Sequence, residues 1–100
     1  MNYAEETDAI RRLAILKLLI EDGGQGNDST LLTAMRAIGH VQYMDQPAIR
    51  RLMRELAERD CATVEMVRDT VMVARITERG RMAAAGHAAI GGIASPHAGL

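Results

Sequence analysis

The chain has 100 residues, enough for one domain with a real core and too few for two. Hydrophobic residues make up 48% and charged residues 25%, and the formal net charge of −1 excludes the global basic field that advertises a nucleic-acid binder. Only two residues are aromatic, both Tyr, so the core must be aliphatic, and base stacking on aromatic platforms, as in RNA-recognition or single-strand-binding modules, is argued against.

Asn2 and Glu5 have the N-cap and N3 spacing of a capping box. Ile10, Leu13, Ala14, Leu16, Lys17 and Ile20 then trace a helical period to about Glu21, with Leu18 and Leu19 widening the apolar face. Glu5, Glu6 and Asp8 complement the dipole at its start. This predicts a well-buried core helix without chemistry of its own. The opening MNYAEETDAI is acidic and lacks the profile of a signal peptide, and no apolar run is long enough for a transmembrane helix. Cys61 is the only cysteine, which leaves no disulfide framework. The expectation is a cytoplasmic protein without a membrane partner.

Residues 22–27, DGGQGN, read as a flexible loop, because a phosphate-cradling P-loop needs a Lys and a preceding strand that are missing here. A second helix is expected from Asp28 or Ser29, carrying Leu31, Leu32, Met35 and Ile38 and stopping at Gly39. Val41, in the HVQYM that follows, reads as an apolar plug between this helix and the next. The third helix lies in residues 45–60, DQPAIRRLMRELAERD, with Asp45 as its cap and Pro47 in its first turn. Ile49, Leu52, Met53 and Leu56 form one apolar stripe, and the opposite face carries Pro47, Arg51, Arg54 and Glu58, flanked by Arg50 and Glu55.

After Asp60 the period changes. Residues 61–67 and 71–77 are rich in β-branched side chains and read as two strands of a hairpin, with Arg68 at its tip. Thr77 reads as the N-cap of an Ala-rich last helix ending near Gly86. Residues 87–100 are small and Gly-rich, and are expected to be a loose extension or to continue the helix as far as Ile90.

His40, His87 and His97 are scattered, with no metal-ligand spacing, and Cys61 has no identifiable base. No enzyme, metal or cofactor is expected. Met35, Met53 and Met66 read as core fillers. The remaining signal is arginine. Arg51 and Arg54 are candidates for base edges, Gln46 for an adenine, and Arg50 and Arg68 for phosphates, with Arg36 a further member of the set. Glu55, Glu58 and Asp60 dilute the C-terminal end of this face, which favours its N-terminal half for a groove.

The stretches RRLAILKLLIEDGG, LLTAMRAIGHVQYMDQPAIRRLMRELAERDCATVE and VMVARITERGRMAAAG resemble small winged helix-turn-helix proteins of Mu-like prophages, often labelled ArsR-type regulators. In those proteins the end resembles V-P-G-[VI]-x-R-P, and IGGIASP stands there here without the basic residue. The resemblance implies an α+β, mostly helical winged helix-turn-helix. It has a three-helix core, a two-stranded wing and a C-terminal helix in residues 1–86, followed by the extension at 87–100. It also implies a sequence-specific double-stranded DNA-binding regulator, acting as a homodimer through the first or the last helix. Metal-sensing ArsR relatives carry paired cysteines, and a single Cys61 implies no such sensor. The alternative is a winged-helix protein-interaction module or phage structural component. A DNA binder needs Arg50, Arg51, Arg54 and Arg68 on a contiguous surface. A protein binder has them tied to Glu55, Glu58 or Asp69.

Overall fold

The computed structural model describes residues 2–97. Its elements are α1 (Tyr3–Glu21), β1 (Gln25–Asn27), α2 (Asp28–Ala37), α3 (Gln46–Glu58), β2 (Ala62–Val67), β3 (Val71–Ile76) and α4 (Glu78–Ala85). Four helices and one three-stranded antiparallel sheet, ordered β1-β3-β2, make an α+β fold about half helical.

Local chemistry sets most boundaries. The Asn2 side chain accepts from the Glu5 amide, Asp45 from that of Ala48, and Thr77 from that of Gly80, each closing a helix N-terminus. The cap of α2 is Asn27, one residue before Asp28 and two before Ser29, the expected caps, and Thr30 completes a capping box with it. Gly86 ends α4 in left-handed backbone, φ +81°. Gly80 is required for another reason: an added Cβ would collide with the Cys61 carbonyl oxygen, so α4 seats on the start of β2 only without a side chain there.

The core is aliphatic. Ile15, Leu16 and Leu19 of α1, Met35 of α2, and Ile49, Leu52, Met53 and Leu56 of α3 are fully buried together, closed by Ala74 of β3 and Ala83 of α4. The stripe read on the third helix is therefore the one that packs.

Five expectations are corrected. Residues 22–27 are not all loop: Gln25–Asn27 pairs with β3 in the register Gln25↔Arg75 and Asn27↔Val73, so the sheet has three strands and not two. Val41 is 60% exposed, and the buried plug is Met44. After Gly39 the chain turns so that the Arg36 guanidinium clamps the Met44 carbonyl at 3.1 and 2.7 Å, which carries Met44 inward and Val41 outward. Met66 of β2 is also exposed, at 40%, although it shares the face of Ala62 and Val64 and pairs with the buried Met72: toward the hairpin tip that face runs past the core. On α1 the core face runs through Ala9, Arg12, Leu13, Ile15, Leu16 and Leu19, leaving Ile10 and Ile20 outside. Finally, residues 87–97 hold no helix and lie against the core. Ile90 is buried, Ile93 and Ala94 pack on the cluster, and the Ala94 amide donates to the Ala9 carbonyl of α1 at 3.1 Å. The rest of the expected extension, residues 98–100, lies outside the described residues.

Candidate nucleic-acid interface

Burying the stripe of α3 leaves two flanks and an outer face. One flank meets α2 and the β2–β3 hairpin, and its centre is Asp28, which is 1% exposed at the first turn of α2. The Asp28 carboxylate accepts from Arg50 Nε at 2.6 Å and Gln46 Nε2 at 3.3 Å, and from the Ser29 amide at 3.0 Å. Burial pushes this carboxyl up, but the donors from Arg50, Gln46 and Ser29 outweigh it and hold it below its ordinary value. The same Arg50 reaches on with Nη2 to the Thr70 carbonyl at 2.7 Å, at the hairpin turn. One guanidinium thus ties together α2, α3 and the hairpin.

The other flank meets α1. Arg51 donates to Asp8 at 3.0 and 3.3 Å and to Glu55 at 3.0 Å. The hydrogen bond to Asp8 raises the Arg51 pKa, against burial, with Glu55 adding to it. Glu55 also receives the nearly buried Arg12, at 3.2 Å from Nε and 2.9 Å from Nη2. Arg12 Nη1 then holds the Gly92 carbonyl at 2.7 Å, fastening the C-terminal segment. Arg11 donates to His40 Nδ1 at 3.5 Å, and desolvation followed by the Arg11 charge lowers the His40 pKa.

The expected site residues therefore separate. Gln46 and Arg50 hold Asp28, Arg51 is divided between Asp8 and Glu55, and Arg36 is committed to the Met44 carbonyl. Arg54 and Arg68 are exposed, and neither enters an ion pair among the described residues. The four arginines do not form one uncommitted basic surface. Asp28 and Arg12 were missed as organising residues. The i,i+4 spacing of Asp8 and Arg12 was legible, whereas nothing local marks Asp28 as more than a cap.

Elsewhere the chemistry is sparse. Burial pushes the Cys61 thiol up and away from the thiolate. Among the described residues no group of three or more His, Cys, Asp or Glu is placed to hold a metal ion. No helix there is long and apolar enough to cross a membrane.

The fold and site define a small α+β protein in which an arginine-braced helix stands beside a β-hairpin. No protein-family profile and no solved structure matches the chain. It is similar to the "Uncharacterized protein gp26" of Escherichia phage Mu, 34% identical over 86 residues that cover 86% of each chain. It is also similar to an "Uncharacterized protein" of Haemophilus influenzae, 30% identical over 79 residues, covering 79% of this chain and 76% of that one. The chain belongs to the family of Mu gp26, and its origin is that of a Mu-like phage.

Proposed function

We propose that this protein is a winged helix-turn-helix that binds double-stranded DNA as a phage or prophage transcriptional regulator of the type labelled ArsR. In this reading α3 enters the major groove and the β2–β3 hairpin lies on the adjacent backbone. The order α1-β1-α2-α3-β2-β3, with β1 and β2 on either side of β3, is compatible with that fold.

The observation that carries the proposal is the Arg50 bridge. It holds the hairpin turn against α3, and it does so beside both uncommitted cations: Arg54 follows Arg50 by one turn, and Arg68 precedes Thr70 by two residues. This revises the expected roles. Arg54 remains a base-edge candidate and Arg68 the phosphate contact, while Arg50 and Gln46 now position the helix. Arg51 is half exposed and serves DNA only by leaving Asp8 and Glu55.

The test is fluorescence anisotropy with random and prophage-derived duplexes at two salt concentrations. Binding should weaken steeply with salt; Arg68→Ala should lose about one unit of the log–log salt slope, and Arg54→Ala should relax the preference between duplexes. Absence of wild-type binding at low salt would sink the proposal.

One observation favours the second reading, a protein-interaction module. Arg51 is tied to Glu55, which is the arrangement expected of a protein binder. Beside it, on the α2–α3 connection, Ile38, Val41 and Tyr43 stand 56%, 60% and 84% exposed. If the duplexes fail, a pull-down that is lost with Val41→Ser/Tyr43→Ser supports this alternative.

A further inference from the structure

The outer face of α1 has a pattern that its own core does not explain. Tyr3, Glu6, Ile10, Leu13, Lys17 and Ile20 follow one another in alternating steps of three and four, the a/d spacing of a coiled-coil seam. Tyr3, Ile10 and Ile20 are 83%, 51% and 38% exposed, although the opposite face of the same helix is fully buried. Leu13, at 8%, belongs to the core cluster and lies where the seam borders the core face. Glu6 and Lys17 are exposed, and neither enters an ion pair among the described residues. Lys17 is also the only lysine in the chain.

The seam reads as its own complement when reversed. Turned end for end about the point between residues 11 and 12, Tyr3 falls opposite Ile20, Glu6 opposite Lys17, and Ile10 opposite Leu13. A two-fold interface requires this property: each position must meet a suitable partner, and each contact must occur twice. In a parallel alignment Glu6 would face Glu6 and Lys17 would face Lys17, so charge selects the antiparallel one. The seam spans about 27 Å at 1.5 Å per residue.

We propose that the outer face of α1 is a self-association surface, on which a second copy of this chain packs antiparallel with two Glu6–Lys17 pairs. This assigns a surface to the homodimer that the resemblance implied through the first or the last helix, and it fails separately from the DNA-binding proposal, because its test contains no nucleic acid.

Sedimentation equilibrium of the full chain should give about twice the 10.9 kDa chain mass at high concentration. Glu6→Lys and Lys17→Glu, each placing like charges together twice, should each weaken self-association at least about tenfold. The Glu6→Lys/Lys17→Glu exchange should return it to near the wild-type value, a recovery that a merely structural effect on α1 would not produce. Ile10→Asp should be monomeric with unchanged circular dichroism. A wild-type monomer at every accessible concentration, or a dimer indifferent to both single charge reversals, overturns the proposal. So does an exchange variant that folds and stays monomeric.

Discussion

Arg50 and Arg51 are neighbours in the chain and are spent in opposite directions. Arg50 turns to the hairpin side and meets a carboxylate with 1% of its surface in water, which also holds Gln46 and a backbone amide. Arg51 turns to α1 and meets Asp8 and Glu55 with nearly half its own side chain in solvent. The geometry of the two pairs is similar, and their weight is not. Desolvating Asp28 is costly, so removing any donor leaves a buried charge uncompensated. Around Arg51, water replaces whatever is removed. One flank of α3 is a structural joint, and the other is a reversible clasp.

That contrast is testable. The largest effect is expected from Asp28→Ala, which strands the Arg50 guanidinium and frees the hairpin turn. It should cost about 3 kcal/mol in urea unfolding. Acidification should separate the flanks next. Asp28 titrates below its ordinary value of 3.8 when folded, so the unfolded chain takes up that proton first as pH falls. The stability it supplies is complete above that value and is lost as pH drops through the lowered one. His40, on the α1 side, also titrates below its ordinary 6.5. The unfolded chain again binds the proton first, so stability starts to decline as pH falls through 6.5. Denaturant midpoints between pH 3 and 8 should therefore fall in two steps, with His40→Gln removing only the upper and Asp28→Asn only the lower. The smallest effect is that of Arg51→Ala, about 0.5 kcal/mol or less and fading with salt. A loss as large as that from Asp28→Ala would remove the distinction between joint and clasp.

The elements legible in the sequence were those whose causes are local. Asp45, Pro47 and the stripe from Ile49 to Leu56 announce α3 within a dozen residues, and Thr77 does the same for α4. β1 is three residues, Gln25–Asn27, with no alternation to detect; its strand character comes from β3, nearly fifty residues away. The choice between Val41 and Met44 as plug depended on where the Arg36 guanidinium landed. The site was legible as a set of arginines and illegible as a surface. Whether a guanidinium is free depends on partners such as Asp8, which lies 43 residues from Arg51. The Gly-rich appearance of the C-terminal segment concealed Ile90 and Ile93, which have hydrophobic partners only once the core cluster is assembled.

The turn between β2 and β3 has a consequence for how this protein changes under selection. Its central residues, Arg68 and Asp69, both hold left-handed backbone, φ +53° and +55°, and the Thr70 amide closes the turn on the Val67 carbonyl at 3.1 Å. Turns of this hand favour Asn followed by Gly, and other side chains there give up about 1 kcal/mol each. A laboratory lineage bred for heat tolerance alone will drift toward those two residues. Its survivors will be sturdier proteins whose hairpin ends in a blank, uncharged tip.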